Sequence, residues 1–179
     1  VQGLRCYPDL ASIPEPVDLC IIAVPGRHVL ETLEQCAEVG VRSVIIFSAG
    51  FAEVDDEGRR AQERIWELAR RHGMNVLGPN CLGVLSYDSR LMASFTSSLE
   101  AGNVERGSIG FACQSGAFGT YFLSLARARG MRFSQWVATG NEADLATADC
   151  IAFMALDPAT RVIAGYIEGV QDGDRFCQA

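Results

Sequence analysis

Residues Ile109 to Phe118 read IGFACQSGAF, a short apolar run that ends in a polar, glycine-bearing turn and then opens a helix. The apolar positions beyond the turn, Phe118, Tyr121, Phe122 and Leu125, recur at the i, i+3, i+4, i+7 spacing of a helix that buries one face. Ser115 stands where an N-cap is expected, and Gly116 lets the backbone come close to a ligand. Unpaired N–H groups and the positive end of the helix dipole then point outward together, an arrangement that suits phosphate. A serine that only caps and a glycine that only turns would leave the same pattern, because the helix-start signal is common.

Outward from this stretch, strand and helix alternate. Downstream, Ser134 to Ala138 reads as a strand and Val162 to Ile167 as another. Between them Asp144 to Ala155 reads as a helix with Leu145, Ala148, Ile151, Ala152 and Ala155 on one side. Upstream, Asp18 to Val24 (DLCIIAV) is a continuous apolar run, the pattern of a parallel strand covered on both faces, and Pro25-Gly26 stops it. Val29, Leu30, Leu33, Cys36 and Ala37 mark a helix closed by Gly40, and Ser43 to Phe47 (SVIIF) is a second buried strand that ends in Ser48-Ala49-Gly50. A helix from about Glu57 to Arg71 turns Ala61, Ile65, Leu68 and Ala69 inward and stops at Gly73. Asn75 to Leu77 forms a third short strand that runs into Gly78-Pro79-Asn80-Cys81-Leu82-Gly83, a rigid turn offering Asn80 and Cys81 to a cleft.

From Ser86 to Gly107 periodicity fails over about twenty residues, too long for a routine connection inside a compact domain. A domain boundary is expected there, dividing the chain into residues 1–104 and 105–179. The alternation predicts an α/β fold of right-handed βαβ units and mostly parallel sheets, with ligands beyond the carboxyl ends of the strands. Four such ends carry distinctive residues: Val24-Pro25, Ser48-Ala49-Gly50, Pro79-Asn80-Cys81 and Gln114-Ser115-Gly116.

Composition bounds what this fold can do. At 179 residues and 49% hydrophobic, the chain can bury one sizeable core or two small ones. No apolar run approaches the roughly 20 residues that span a bilayer, and VQGLRCYPDL has neither the charged start nor the apolar core of a signal peptide. Seven cysteines, odd in number and never in a C-x-x-C pair, argue against a disulfide framework or a zinc site and fit a reducing cytoplasm. The formal charge of −7 disfavours nucleic acid and anionic membrane as partners, so an anionic ligand must be held by backbone dipoles.

The succession VDLCIIAVP, VIIFSAGFAE, LGPNCLG, SIGFACQSGAFG, GNEADL and DPATRVIAGYIEGVQDGDRF resembles the CoA-binding subunit of the nucleoside-diphosphate-forming acyl-CoA synthetases. That superfamily includes succinyl-CoA synthetase and the ADP-forming acetyl-CoA synthetases. The resemblance implies a Rossmann-like CoA-binding domain followed by a flavodoxin-like succinyl-CoA-synthetase-type domain. It also implies a reaction in which acid, CoA and ATP give acyl-CoA, ADP and phosphate through an acyl phosphate and a phosphorylated histidine. Val24 and Pro25, with Ser48, Ala49, Gly50 and Phe51, would line the CoA groove. Pro79, Asn80 and Cys81 would lie beside the pantetheine thiol, and Ser115, Gly116 and Ala117 would cradle the phosphoryl group. Glu168, in YIEGV, matches the family's glutamate that orients the active-site histidine, where a carboxylate fixes the tautomer and stabilises the cation. The partners implied are CoA, a small carboxylic acid and an ATP-grasp domain or β subunit that brings ATP or ADP and Mg2+. Exposed sheet edges add the expectation of an oligomer.

The resemblance has three departures. The family's opening strand and glycine-rich turn have no counterpart before VQGLRCYPDL, so the chain reads as a piece of a larger protein. The phosphorylated histidine of the family falls past Ala179, and neither His28 nor His72, both at helix ends, replaces it. Cys113 stands where the family commonly has serine, which removes a hydroxyl from the phosphate loop. Two further function classes stay open: a non-catalytic acyl-CoA-binding or regulatory module fused to another enzyme such as an acetyltransferase, and a dinucleotide-binding Rossmann domain, which the absence of G-x-G-x-x-G disfavours. Cys81 lacks a following histidine for a cysteine-hydrolase role, Trp66 and Trp136 read as packing, and Gly140-Asn141-Glu142 with Phe118 are expected walls of the acid pocket.

Overall fold

The computed structural model describes residues 2–99 and 105–179. Short β-branched runs form β1 (Leu19–Ile22), β2 (Ser43–Ile46) and β3 (Asn75–Leu77), a parallel sheet in the order β1-β2-β3. The crossovers are α1 (Val29–Glu38) and α2 (Asp56–His72). One sheet face, with Ile22, Val44, Ile46 and Val76, packs on Val29, Leu33 and Cys36 of α1 and on Ile65, Leu68 and Ala69 of α2. The ends of α2 follow its sequence signals. Asp55 accepts a hydrogen bond from the Gly58 N–H at 2.8 Å, Asp56 and Glu57 sit at the positive end, and Arg70, Arg71 and His72 sit at the negative end. Gly73 closes the helix in the left-handed region at φ 62°. An Asp55→Ala variant is expected to lose about 1 kcal/mol of stability in urea unfolding, because the Gly58 N–H loses its acceptor.

The second sheet has the order β5-β4-β7-β6-β8, formed by β4 (Gly83–Ser86), β5 (Leu91–Ser94), β6 (Ile109–Cys113), β7 (Phe133–Ala138) and β8 (Val162–Tyr166). β6 runs parallel to β7 and β8, while β4 is antiparallel to both β5 and β7. Its helices are α3 (Gly116–Ala128), α4 (Thr147–Leu156) and the short α5 (Gly173–Gln178), whose Arg175 pairs with Asp149 of α4. Phe111, Cys113, Leu123, Phe133 and the fully buried Trp136 make the core under α3, where Phe111 stacks on Phe122 at 4.4 Å between ring centroids.

The expected structureless stretch after Ser86 instead carries β5 and a single 3-10 turn, Ser97–Leu99. Four-residue strands are too short for alternation to stand out, and β4 is held by pairing with β7, nearly fifty residues away in sequence. The division expected between residues 104 and 105 falls at a segment, 100–104, outside the described residues. Strand pairing passes from the first sheet to the second between Leu77 and Gly83, so the β4–β5 hairpin belongs to the second sheet.

The other face of the first sheet packs against the second. Ile45 and Leu77 meet Ala93, Ala112 and Val137 together with Met154 of α4. Burial on both faces, expected for β1 and β2, holds for β2, but β1 is an edge strand and leaves Ile21 42% exposed. Beyond β7 the chain is stitched along the end of β3. The N–H groups of Asn141, Ala143 and Leu145 donate to Pro79, Gly78 and Val76 carbonyls at 2.9, 2.9 and 3.1 Å, and the Asp144 carboxylate accepts the Val76 N–H at 2.9 Å. This seam brings the carboxyl ends of β3, β6 and β8 into one place.

Candidate functional site

Those three strand ends surround a cavity of about 630 Å³ whose lining includes Asn80 and Cys81 after β3, Ser115, Gly116 and Ala117 after β6, and Glu168 after β8. Ser115 caps α3: its Oγ accepts the Phe118 N–H at 3.3 Å and its carbonyl accepts the Gly119 N–H at 2.9 Å. The N–H groups of Gly116 and Ala117, in the first helical turn, have no acceptor within the helix and stand at the cavity wall. Packing also favours Gly116, since a Cβ there would lie 3.0 Å from the Leu82 Cγ and would push that side chain aside.

Gln114 fixes the loop that carries Glu168. Its Oε1 accepts the N–H groups of Glu168 at 2.6 Å and Gly169 at 3.0 Å, and its Nε2 donates to the Gly169 carbonyl at 2.8 Å. With the Gln114 N–H donating to the Tyr166 carbonyl at 3.1 Å, the side chain continues the β6–β8 ladder where β8 leaves it. The Glu168 backbone is thereby held at the cavity, whose lining it shares with Gly116 and Ala117 at the α3 N-terminus.

A polar cluster forms another wall. The Asn141 amide donates to Glu53 and to the Gln62 Oε1 (3.0 Å), and its Oδ1 accepts from the Asn80 Nδ2 at 3.2 Å. Glu53 in turn accepts the Gly50 N–H at 2.6 Å and the Phe51 N–H at 3.1 Å. Burial alone would push the Glu53 carboxyl up, but the Gly50 N–H, the Asn141 amide and the Phe51 N–H together hold it below the usual carboxylate range. The stability this latch adds is present above the ordinary carboxylate pKa and is lost as pH falls through the lowered one.

The β1 and β2 ends gather separately from this lining. Ser48 donates to the Val24 carbonyl, its own carbonyl accepts the Asn80 N–H at 2.9 Å, and Pro25, Ala49 and Gly50 are exposed beside them. Three expectations change. Phe51, expected in the CoA groove, is 1% exposed in the core under α2, because its ring joins the apolar layer that α1 and α2 share. The Cys81 thiol turns inward and donates to the Ile46 carbonyl at 3.3 Å, so its backbone rather than its sulfur forms the cavity wall. Cys113 is also fully buried, and its thiol donates to the Ser115 carbonyl at 3.5 Å from the core side of the turn.

Of the expected acid-pocket walls, Gly140 and Asn141 line the cavity. Glu142 is buried with its carboxylate bound to Thr139 and Thr147, and Phe118 stacks on Tyr166 at 4.1 Å. His28 and His72 lie at the ends of α1 and α2 and not in the cavity lining. Gln114, in the strand end Gln114-Ser115-Gly116, and Glu53, the last residue of VIIFSAGFAE, lie in the quoted motifs without an expected role, and Phe95, which also lines the cavity, lies in none of them.

Burial pushes the Cys81, Cys113 and Cys150 thiols up to about 12, Cys113 also feeling Glu168. A raised thiol stays protonated through neutral pH and its contribution fades only as pH climbs toward that value. Iodoacetamide at pH 8 is therefore expected to modify the exposed Cys6 and Cys177 in the folded protein and to spare Cys81 and Cys113 until denaturant is added, as read by peptide mass mapping.

Comparison with known proteins covers the whole chain. A family model described as a CoA binding domain matches residues 1–87, and one described as a succinyl-CoA ligase like flavodoxin domain matches residues 106–179. The α subunit of acetate–CoA ligase [ADP-forming] II from Pyrococcus furiosus is 39% identical over 178 residues, 99% of this chain and 38% of that subunit. A crystal structure from Pyrococcus horikoshii OT3 matches with a TM-score of 0.92 at 37% identity, covering 99% of this chain and 40% of the other. The dinucleotide forming acetyl-coenzyme A synthetase 1 of Ca. Korarchaeum cryptofilum, solved with phosphate and ADP, matches with a TM-score of 0.89 at 34% identity, covering 99% of this chain and 38% of that one. The chain thus spans about two-fifths of the length of these relatives. With both domain types present in order and the strand ends meeting at one cavity, the chain belongs to the nucleoside-diphosphate-forming acyl-CoA synthetase superfamily.

Proposed function

We propose that this chain is the CoA- and phosphate-binding part of an ADP-forming acid–CoA ligase. The observation that carries the proposal is the single cavity whose lining joins Ser115, Gly116 and Ala117 at the start of α3 with Glu168 and Asn80. CoA would run along Val24, Pro25, Ser48, Ala49 and Gly50 and bring its thiol past Pro79, Asn80 and the Cys81 backbone. These loops are small-residued and open enough to admit an extended ligand. An acyl phosphate, or a phosphoryl group on histidine, would sit on the N–H groups of Gly116 and Ala117, where backbone dipoles supply the positive potential. Ser115 acts by holding that turn.

Glu168 would accept a hydrogen bond from the incoming histidine, fixing its tautomer while the far nitrogen exchanges the phosphoryl group. The thiol then attacks the acyl carbon and phosphate leaves from the cradle. ATP or ADP and Mg2+ would belong to an ATP-grasp domain, in the same chain or a β subunit, with which this chain would assemble. A cytoplasmic setting fits the reduced cysteines, and no helix among the described residues is long and apolar enough to cross a membrane. The division into units of residues 1–104 and 105–179 is retained for the chain, with the β4–β5 hairpin as an extension of the first that pairs into the second sheet.

The test is turnover by the full-length protein. Acid, CoA and ATP are expected to yield acyl-CoA, ADP and phosphate in equal amounts. AMP and pyrophosphate as products, or CoA binding with no turnover in the presence of every domain, would contradict the ligase and favour a regulatory acyl-CoA-binding module.

A further inference from the structure

Loops that leave three different strands are fastened together through one carboxylate. Glu53 stands in the loop after β2, where its Oε1 accepts the Gly50 N–H at 2.6 Å and its Oε2 accepts the Phe51 N–H at 3.1 Å. These bonds fix a turn in which Gly50 takes the left-handed φ of +103°. The same Oε2 accepts the amide of Asn141, 88 residues further along the chain. Asn141 has every polar group engaged. Its backbone N–H donates to the Pro79 carbonyl at 2.9 Å, and its carbonyl accepts the Gln62 Nε2 at 3.3 Å. Its Oδ1 accepts the Asn80 Nδ2 at 3.2 Å, and its amide N–H groups divide between Glu53 and the Gln62 Oε1. Gly140 packs so closely on the turn after β3 that a Cβ would lie 2.4 Å from the Pro79 carbonyl oxygen and 2.5 Å from that of Asn80. The loop after β7 and the turn after β3 are therefore one piece. The loop after β2 joins that piece at its start, where the Ser48 carbonyl accepts the Asn80 N–H at 2.9 Å, and at its end through Glu53.

We propose, resting on the ligase reading above, that Glu53 is a positioning residue that sets the loop receiving CoA against the wall of the phosphoryl cavity, so that thiol and acyl phosphate meet in register and each ligand favours binding of the other. Gly140 and Asn141 supply that wall beside Ser115, Gly116 and Ala117. In the step concerned, the C–S bond forms, the acyl C–O bond to phosphate breaks, and the thiol proton leaves with the phosphate. The reacting atoms must approach to about 3–3.5 Å, and a displacement of about 1 Å costs on the order of 100-fold in rate. Glu53 takes no part in the bond changes; it acts through Gly50, Phe51 and Asn141. The carboxylate is the right group for this, because all three of its partners are N–H donors. An amide at position 53 would offer one acceptor oxygen and turn its own N–H groups on the Asn141 amide. Cooperativity follows from the same bonds: a loop and wall ordered by one ligand need not be ordered again for the other.

The experiment makes Glu53→Gln, Asn141→Asp and the exchange carrying both in the full-length protein. At saturating acid, ATP and CoA, kcat for acyl-CoA formation is expected to fall about 10- to 100-fold in each single variant, while KM for CoA rises less than about threefold. The exchange re-forms the bond with its polarity reversed, amide donor at 53 and carboxylate acceptor at 141, and is expected to recover kcat to within about fivefold of the unsubstituted protein. Holding the CoA loop alone would raise KM for CoA and leave kcat unchanged. That result, or losses that simply add in the exchange, would overturn the proposal. If Glu53→Gln does not fold, the exchange set against Asn141→Asp decides in the same way: recovery sustains the latch and further loss ends it. If the unsubstituted protein ligates no acid, the ligase reading fails by itself and calorimetry decides the latch. CoA is then titrated with and without inorganic phosphate, which is expected to tighten CoA binding about five- to tenfold, and Glu53→Gln is expected to lose that difference. No difference in the unsubstituted protein, or a difference kept in Glu53→Gln, would overturn the proposal.

Discussion

Glu168→Gln in the full-length protein is expected to slow acyl-CoA formation by about 10²- to 10⁴-fold, the range over which a positioned acid–base partner acts. The substitution keeps the size of the side chain, and the backbone it hangs from is held by three hydrogen bonds from Gln114, so the fold should not move. What changes is charge. A neutral amide neither stabilises an imidazolium nor selects one histidine tautomer, so transfer of the phosphoryl group loses its orienting partner. CoA affinity, which depends on the β1, β2 and β3 ends, should stay within a factor of two or so, an order-of-magnitude bound for sites that share no partner. Gln114→Ala removes the clamp but leaves the carboxylate, and a smaller loss of about 10- to 100-fold is expected, typical of a group that orients another. Rate assays on the two variants, with CoA titration alongside, check both. Equal rates for Glu168→Gln and the unsubstituted protein would remove Glu168 from the mechanism.

The largest expected loss of stability is at Gly83, where the chain passes from the first sheet to the second. Its φ is +90°, and a Cβ there would lie 2.1 Å from the Ala93 carbonyl oxygen and 2.9 Å from the Phe47 ring. The backbone oxygen is held in the β4–β5 pair, where Gly83 opposes Ser94, so relief requires unpairing the hairpin. Gly83→Ala is expected to cost about 3–5 kcal/mol, the sum of a disfavoured left-handed alanine and an overpacked contact with backbone. Urea unfolding measures it, and a loss below about 1 kcal/mol would show that the hairpin yields more easily than its pairing implies. Because Phe47, one of the displaced neighbours, lines the cavity, the cavity should be disturbed as well.

How much of this was legible in the sequence depends on the range of the interaction that makes each feature. Ser115 as the cap of α3 and Gly73 as the stop of α2 rest on contacts a few residues apart, and β2 and β6, although paired with distant strands, are continuous apolar runs in their own sequence; all stand where capping and patterning put them. The β4–β5 hairpin did not show because its reason lies in β7, nearly fifty residues downstream. α5 was missed for its length, since six residues show no period. In the site, the convergence of Asn80, Ser115, Gly116, Ala117 and Glu168 follows from a rule about strand ends and from the family motifs. The direction of a side chain does not. Phe51 and Cys81 carry motif positions but turn into the core, and Gln114, Glu53 and Phe95 gained their places only when β8, the loop after β7 and the hairpin closed around them.

Calorimetric titration of this chain with CoA, and separately with NAD, tests the account at its centre. CoA is expected to bind, Asn80→Ala to weaken binding about tenfold by removing the amide at the cavity edge, and NAD to give no heat, since β2 runs out into Ser48-Ala49-Gly50 rather than an acidic ribose ligand. NAD binding with CoA excluded, or CoA binding in the full-length protein that is indifferent to Asn80, would contradict it.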